Sequence, residues 1–455
     1  MAACQKNEIV PDPTPDNNPN KEEEEDDGIY KGAIPQEIDE VPRVYINRHG
    51  RGFIGKEDKT VWTELCDIEI RVKVGGKDTV VYASDSLKIR GHGNSTWVHF
   101  PKKSYYFKLN HKANLIGSGQ TRRWVLLANW MDRTLLRNAV AMEAARRTSI
   151  EWTPSGTFVD LYVDEKVEPT GYRHLGTYWM CEKIHAEKGN FLCDYLYCMD
   201  NTSYPYNLDF ETKLGLCVMS GRYGMPVELK YPDRDDYPED EYTNILTKAR
   251  NVLLEEEEKI YSFRNDFYTK INMDSFCDWY LVQELTCNQE PNHPKSCYFY
   301  SRDGVLYAGP VWDFDWGTFT EQDPRLLINR CIYFGNVKLP SDGIERSGLL
   351  YYPAFRQRLK ERWAALKPQF ETLDQYIDQQ ADWIRASEEV NHRLWPIFGH
   401  GEGDNKDHHG IGIADDKETM MVSYDENLTF QEAVDLMKLH LNQRISILDG
   451  LINAL

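Results

Sequence analysis

Between Pro42 and Leu109, hydrophobic and polar residues alternate in short runs, and a Gly75-Gly76 pair separates two of these runs. Alternation with a period of two is typical of β-strands that bury one face, and a glycine pair is a frequent hairpin turn. Two further runs, Phe158 to Val163 and Gly176 to Ile184, predict another hairpin. The N-terminal part of the chain is therefore expected to be rich in β-structure.

Further along the chain, apolar residues recur at intervals of three and four, the spacing that places them on one face of an α-helix. Helices are predicted over residues 132–147, 242–259, 273–285, 355–366, 373–387 and 430–455. A short strand is expected at Leu126 to Trp130, and a hairpin at Cys297 to Tyr300 and Val305 to Asp315. A β-rich part over residues 41–185, followed by a mixed and helical part over 186–455, makes the expected fold class α+β.

Residues 1–40 differ in composition from the rest of the chain. Pro11 to Asn20 is rich in Pro, Asn and Asp, and Glu22 to Asp27 is an unbroken acidic run. Such a segment buries too little apolar surface to offset its ordering entropy, so we predict a disordered acidic tether. The preceding Met1-Ala-Ala-Cys4 is similar to the end of a bacterial lipoprotein signal, in which Cys4 would carry the lipid; the alternative is an incidental cysteine. The lipoprotein interpretation predicts an extracytoplasmic protein whose membrane attachment is this lipid alone.

The 455 residues carry a formal net charge of −20, and 41% of them are hydrophobic. This composition is typical of a globular protein, and the acidic charge argues against nucleic-acid binding, which requires clustered Lys and Arg. No apolar run reaches the length of a membrane-spanning helix. The ten cysteines include no Cys-x-x-Cys pair, so most are predicted to be small buried apolar residues. The oligomeric state stays open.

The segment Gly309 to Gly317 carries the strongest chemical signal. Asp313 and Asp315 stand two residues apart between aromatic residues, and in a β-strand they would project from one face. Neighbouring carboxylates repel each other unless a cation lies between them, and a divalent cation that also binds phosphate oxygens suits this pair. The alternative is a solvated acidic turn. The pattern favours a metal site at Asp313 and Asp315.

The segment from Leu87 to Lys108 indicates an anion-binding loop. It reads as a strand, a loop with two glycines and a second strand, with cations on both sides of the loop. Glycines let a backbone approach a ligand closely, and Lys and Arg neutralise phosphate charge. An ordinary hairpin is the alternative. The residues expected to contact an anionic ligand are Arg90, Gly91, Gly93, Asn94, Lys103 and Lys108.

Six motifs occur together in an order that resembles the CotH kinase-like family, named for a spore-coat protein H. They are Arg90-Gly-His-Gly-Asn-Ser-Thr-Trp97, Pro101-Lys-Lys-Ser-Tyr105, Leu126-Leu-Ala-Asn129, Leu135-Leu-Arg-Asn138, Gly176-Thr-Tyr with Glu182-Lys-Ile184, and Gly309-Pro-Val-Trp-Asp-Phe-Asp315. The resemblance covers residue 41 to the C-terminus. It implies a remodelled protein-kinase-like fold that uses ATP and Mg²⁺ or Mn²⁺ to phosphorylate Ser or Thr of a protein substrate.

The resemblance also implies roles for individual residues. Asp313 corresponds to the metal-binding and catalytic aspartate, with Asp315 as its helper. Glu290 occupies the position of the family's catalytic aspartate, which leaves the geometry of the base in question because Glu is one methylene longer. Lys103 is the expected phosphate-contacting lysine, and Lys108 is the second choice. Glu182 would orient such a lysine or mark the segment beside adenine.

Arg137 and Asn138 follow Asp132 at helical spacing and are predicted to form an ion pair and a hydrogen bond with the core. Two other functions remain as alternatives to a kinase-like enzyme of the bacterial envelope. One is a non-catalytic surface pseudokinase that binds glycan or protein through its many aromatic residues. The other is a metal-dependent hydrolase, which rests on the paired carboxylates alone and lacks a second acidic cluster.

Overall fold

The computed structural model describes residues 38–51, 59–93, 96–97, 100–115, 120–164, 171–186, 191–199, 217–219, 226–261, 264–288, 290–292, 295–315, 317–319, 324–327, 333–338, 345–395 and 428–455. The predicted tether up to residue 37, its Cys4 and the loop residue Asn94 lie outside these ranges. Among the described residues, no helix combines the length and the apolar character that crossing a membrane requires.

Seven strands of the N-terminal half form a closed barrel in the order β1-β2-β3-β4-β5-β7-β6. Their bounds are β1 Arg43–Asn47, β2 Thr63–Val74, β3 Lys77–His92, β4 Ser104–Ala113, β5 Thr121–Leu127, β6 Gly156–Asp164 and β7 Tyr172–Glu182. Neighbouring strands are antiparallel except at the closure, where β1 and β6 pair in parallel. The predicted hairpin of Phe158 to Val163 with Gly176 to Ile184 is present as β6 and β7.

A second sheet follows, with strand order β12-β11-β8-β10-β9 in the described part of the chain. Its strands are β8 Tyr195–Met199, β9 Cys217–Met219, β10 Pro226–Tyr231, β11 Cys297–Arg302 and β12 Val305–Ala308, and a short pair, β13 Asn336–Lys338 and β14 Glu345–Ser347, stands apart. The sheet is assembled from distant segments, because β8 pairs on one side with β10 and on the other with β11.

Helices dominate the C-terminal part of the described chain. Their bounds are α1 Arg137–Arg146, α2 Glu239–Tyr261, α3 Met273–Leu285, α4 Pro353–Phe370, α5 Leu373–Leu394 and α6 Phe430–Ala454. The predicted α+β class, β-rich at the N-terminus and helical towards the C-terminus, is thus confirmed. α1 begins at Arg137 instead of the predicted Asp132, because the Asp132 carboxylate accepts hydrogen bonds from the Thr134 and Arg137 N–H groups and holds the preceding residues in a turn.

The barrel strands separate two cores. On β7, Tyr178 and Met180 belong to the core inside the barrel, whereas Trp179 and Cys181 belong to a larger core outside it. This alternation follows from the period of two along a strand. The outer core continues through α1, the second sheet and the C-terminal helices. The outer face of β4, β5, β6 and β7 therefore packs towards the rest of the molecule.

Candidate functional site

The two carboxylates of the Asp-x-Asp motif lie in a loop, and the strand predicted through Asp315 is wrong. β12 ends at Ala308, and residues 309–315 have no regular secondary structure. Pro310 has no N–H to continue the ladder, and Asp313 has a φ of 69°, outside the range of a strand. The shared face expected for Asp313 and Asp315 therefore does not come from strand alternation. It must come from whatever fixes the loop.

Helix α1 fixes this loop. The Asn138 Oδ1 atom accepts a hydrogen bond from the Phe314 N–H at 2.9 Å, and Arg137 Nη1 donates to the Asp315 carbonyl at 3.1 Å. The predicted ion pair is present too, because Arg137 Nε lies 3.4 Å from Asp132 Oδ1. The residues at the start of α1 thus bind the backbone of the Asp-x-Asp motif, in addition to the core contacts that the sequence predicted.

The electrostatics of the loop suit a bound cation. Burial raises the pKa of Asp315 well above its ordinary value, and the charges of Asp313 and Asp132 raise it further, while Arg137 opposes them. Asp313 Oδ2 accepts a hydrogen bond from the Ser296 hydroxyl at 3.0 Å. Carboxylate and hydroxyl oxygens are the ligands that Mg²⁺ and Mn²⁺ accept. Among the described residues, no three His, Cys, Asp or Glu side chains form a complete cage, so a cation here would also need phosphate or water oxygens.

Glu290 lies in the short turn Glu290–Asn292 that follows α3. Its side chain is 8% exposed, and its N–H donates to Asn288 Oδ1 at 3.1 Å. Asn288 in turn donates to Gln283 Oε1 at 2.9 Å, which ties the turn to the end of α3. The chain then reaches Ser296, the hydroxyl partner of Asp313. The Glu290 carboxyl group therefore lies on a turn that is hydrogen-bonded to the end of α3 and that shortly precedes Ser296 in sequence.

The glycine-rich loop meets the Asp-x-Asp loop through two aromatic rings. His92 ends β3, and its ring centroid lies 6.4 Å from that of Trp312 in an edge-to-face arrangement. Burial, together with the neighbouring cations Lys183 and Arg90, lowers the pKa of His92 well below its ordinary value. This contact places the end of β3 against the residue that precedes Asp313.

Cations line the outer face of the barrel beside this contact. Lys88 and Arg90 precede His92 by four and two positions on β3, so their side chains lie on the same face as His92. Lys108 lies on this face too, because it pairs with Lys88 in the β3–β4 register, in which Arg90 pairs with Tyr106. The Arg90 guanidinium stacks on Tyr106 at 5.2 Å, and Lys183 Nζ lies 5.3 Å from the same ring. The Arg90 Nε atom is buried and has no hydrogen-bond partner among the described residues. A buried donor of this kind suits an anionic ligand.

The remaining sequence-predicted residues lie with the barrel core. Lys103 Nζ donates a hydrogen bond to the carbonyl of Trp97. Glu182 lies on the same face of β7 as Tyr178 and Met180, and its carboxylate accepts a hydrogen bond from the Ser155 N–H at 3.0 Å. Gly91 packs under Trp97, since a Cβ there would lie 2.7 Å from the indole ring, and Gly93 has a φ of 83° that favours glycine. The structure therefore brings Arg90 and Lys108 to the outer face but does not place Lys103 or Glu182 beside them.

The family model described as CotH kinase protein matches residues 88–448. The chain belongs to the CotH kinase family. The matched range begins in β3 and ends in α6, so in this CotH protein it includes the cationic face, the second sheet and the Asp-x-Asp loop. No curated protein matches the chain. Family membership supports a kinase-like function for the region in which these features meet.

Sequence reasoning missed three residues of this CotH site: His92, Lys183 and Ser296. His92 and Lys183 belong to two of the six motifs. Each lies two positions after an outward-facing residue, Arg90 or Cys181, so strand alternation would have placed both on the outer face. Ser296 carried no signal in the sequence, because its role depends on a fold-back between the start of β11 and the loop after β12.

Proposed function

We propose that this protein is an ATP- and divalent-metal-dependent phosphotransferase that transfers the γ-phosphoryl group to a Ser or Thr hydroxyl of a protein. The observation that carries the proposal is the contact of His92 with Trp312, which joins a cationic face to a carboxylate loop. Phosphoryl transfer requires positive charge along the phosphates, a bridging cation and a carboxylate that positions the nucleophile. All three kinds of group occur on adjoining segments here.

Arg90 and Lys183 are the side chains best suited to the phosphates. Both cations lie against the ring of Tyr106, which holds them side by side, and the Arg90 Nε atom is buried with no hydrogen-bond partner among the described residues. Burial, followed by the charges of Lys230 and Arg90, lowers the pKa of Lys183 to about 8. A phosphate between Arg90 and Lys183 would remove this like-charge repulsion. Lys103 stays the predicted phosphate contact of the glycine-rich loop. Lys108 shares the outer face with Arg90 but lies two positions further from the Asp-x-Asp loop than the pair of Arg90 and Tyr106, so we do not assign it to the phosphates.

Asp313 and Asp315 would hold Mg²⁺ or Mn²⁺. The cation would bridge phosphate oxygens and neutralise the charge that develops on them. The chain supplies two carboxylates whose mutual repulsion and burial disfavour their simultaneous ionisation. Asn138 and Arg137 hold the backbone between these carboxylates, so the ligand oxygens are positioned before the cation binds.

Glu290 would accept the hydroxyl proton of the substrate. Its turn leads into Ser296, which binds Asp313, so the base and the metal loop are linked by a short stretch of chain. A specific observation also favours the alternative of a pseudokinase: Glu290 is longer than the family's aspartate and is almost fully buried. We further propose that Cys4 carries a lipid and that the acidic segment tethers the domain to the bacterial envelope.

A thermal-shift titration with ATP and Mg²⁺ or Mn²⁺ tests the proposal. A ligand that binds only the folded state at a hundredfold excess over its Kd stabilises it by about 2.7 kcal/mol. We expect a rise in Tm with ATP and metal together, and a smaller rise with either alone. No shift at millimolar ATP with either metal would eliminate the nucleotide-dependent function and leave a binding role ahead.

A further inference from the structure

A row of four cations crosses the outer face of the barrel. Lys88 on β3 lies opposite Lys108 on β4, and Lys108 lies opposite Arg123 on β5. Lys183, just after β7, donates its backbone N–H to the Arg123 carbonyl at 2.9 Å and completes the row. Each of four adjacent strands thus contributes one positive side chain at the same level. We call this set the cationic row.

The cationic row is costly for the folded protein. Adjacent strands lie about 4.8 Å apart, and like charges directly opposite each other destabilise a sheet. Glu64, at 3.5 Å, offsets Lys88, and Asp233, at 3.5 Å, offsets Arg123. Asp233 also opposes the repulsion on Lys108, and Glu228 opposes that on Lys183. Burial, followed by the charges of Arg123, Arg122 and Lys88, lowers the pKa of Lys108 to about 8.

The cationic row is separated from the metal loop. Lys88 precedes His92 by four positions on β3, and at 3.3 Å per residue this corresponds to about 13 Å. The phosphate that meets Asp313 therefore cannot contact Lys88 or Lys108 at the same time. Towards the second sheet, Arg123 of the row reaches Asp233 next to β10, and His185 packs edge-to-face on Tyr231.

The dimensions of the row indicate its ligand. Three strand spacings of about 4.8 Å give a length of about 14 Å, which four or five residues of an extended peptide would cover. We propose that the cationic row binds an acidic segment of the protein substrate that flanks the phosphorylated Ser or Thr. This inference rests on the proposed function. The net charge of −20 and the flanking Glu64 and Asp233 disfavour a nucleic acid, whose binding requires a longer cationic surface.

Charge reversal in the row provides the test. Three Ser-containing peptides with Glu, Gln or Lys flanks are compared as substrates with γ-labelled ATP, and the fluorescein-labelled Glu peptide is titrated by anisotropy, which requires no catalysis. We expect the Glu peptide to have a KM about tenfold below that of the Lys peptide, since two or three partly buried charge pairs contribute. K108E should reverse this preference and leave the ATP-dependent thermal shift unchanged.

K112E serves as the matched control, because Lys112 lies four positions further along β4, outside the row. It should keep the preference for the Glu peptide. Equal KM for the three peptides together with no anisotropy change for the Glu peptide, or a K108E variant with wild-type preference and an unchanged Tm, would overturn the inference. A K108E variant that loses ATP binding instead would assign the row to the nucleotide. Absence of any ATP effect in the wild type would reject the proposed function, while the anisotropy result would still decide peptide binding.

Discussion

Asn138 joins the Asp-x-Asp loop to the residues that follow β5: its Oδ1 accepts a hydrogen bond from the Phe314 N–H at 2.9 Å, and its Nδ2 donates one to Asn129 Oδ1 at 3.0 Å. Asn129 follows β5 and donates its own side-chain amide to the Leu135 carbonyl. One buried amide therefore connects the residues that follow β5, the start of α1 and the residue between Asp313 and Asp315. The position of the carboxylates depends on this connection.

Replacing Asn138 should weaken metal binding without removing any metal ligand. Asn138→Ala leaves the Phe314 N–H and Asn129 Oδ1 buried without their partner, which costs about 1–3 kcal/mol of stability. Asn138→Asp keeps the acceptor for the Phe314 N–H but loses the donor to Asn129, so its Mn²⁺ affinity should lie between those of Asn138→Ala and the wild type. Metal affinity measured by titration and stability measured by urea unfolding separate the two effects.

Glu143→Gln is the control on the same helix, because Glu143 pairs with Arg146 and Arg147 at the partly exposed side of α1. It should change stability by less than about 1 kcal/mol and leave metal affinity intact. Equal Mn²⁺ affinity in Asn138→Asp and wild type would show that the loop keeps its shape without this amide.

Asp313→Asn should abolish metal-dependent ATP binding and preserve the fold. Asn tolerates the positive φ at this position and can still accept the Ser296 hydrogen bond. The substitution also removes a charge that repels Asp315, so the metal-free variant should melt at the same temperature as wild type or higher. Thermal shift with and without ATP and Mn²⁺ measures both outcomes.

Asp303→Asn is a matched control, since Asp303 also has a positive φ, 53°, in the turn between β11 and β12. Its ATP-dependent shift should equal that of the wild type. A metal-dependent shift that persists in Asp313→Asn would assign this aspartate a structural role only.

Gly91→Ala should destabilise the barrel. The added Cβ would lie 2.7 Å from the Trp97 ring, and overpacking of this kind costs about 1–3 kcal/mol. Gly450→Ala is the opposite case, because Gly450 lies in α6 with no atom within 4 Å of the added carbon, so helix propensity should make it more stable by about 0.5–1 kcal/mol. Urea unfolding of both variants checks the two signs, and a Gly91→Ala variant as stable as wild type would show that Trp97 can move.

Most of the helices and several of the strands were predictable because their patterns are local. The hairpin of β6 and β7 and helix α3, Met273–Leu285, follow directly from hydrophobic spacing and turn residues. The closure of the barrel was not predictable, because the parallel pairing of β1 with β6 joins residues more than a hundred positions apart. Hydrophobic spacing indicates which face a strand buries, but it does not identify the partner of that strand.

The residues of the candidate site were likewise only partly predictable from the sequence. Asp313 and Asp315 were identified by their spacing, but the strand argument for their orientation failed, since Pro310 ends the ladder and Asn138 fixes the loop from another element. Arg90 and Lys183 come together because register aligns β3, β4, β5 and β7. Pairs that depend on register between distant strands carry no signature in a single sequence.

Glu256 should make the stability of the protein depend on pH. It is buried on α2 and accepts a hydrogen bond from the Ser301 hydroxyl at 2.6 Å, and burial raises its pKa from 4.5 to about 8. Between these values the folded chain keeps a proton that the unfolded chain has lost. The stabilisation is complete below pH 4.5 and is lost as the pH rises through about 8, by up to about 1.4 kcal/mol per pH unit.

Glu256→Gln, which is neutral at every pH, should therefore match wild type near pH 4.5 and exceed its stability at pH 8 and above. Glu258→Gln, exposed on the same helix, should follow the wild-type curve. Urea unfolding across this pH range measures the difference, and parallel curves for wild type and Glu256→Gln would contradict the assignment.

Glu290 tests whether this CotH protein is an active kinase. Glu290→Ala should leave ATP binding nearly unchanged, because the carboxyl group is proposed to act on the substrate hydroxyl, and it should lower phosphoryl transfer by about 10²-fold or more. Glu290→Asp restores the family's residue and should keep or raise activity.

Asn288, which accepts the Glu290 N–H, and Asn292 are replaced by Ala in parallel to separate positioning from proton transfer. Autophosphorylation with labelled ATP and Mn²⁺ distinguishes this expected loss from two other results. A fully active Glu290→Ala would place the base elsewhere. An inactive wild type with an active Glu290→Asp would make the protein a pseudokinase disabled by one methylene, because the longer side chain then fails to bring its carboxylate within hydrogen-bond distance of the hydroxyl.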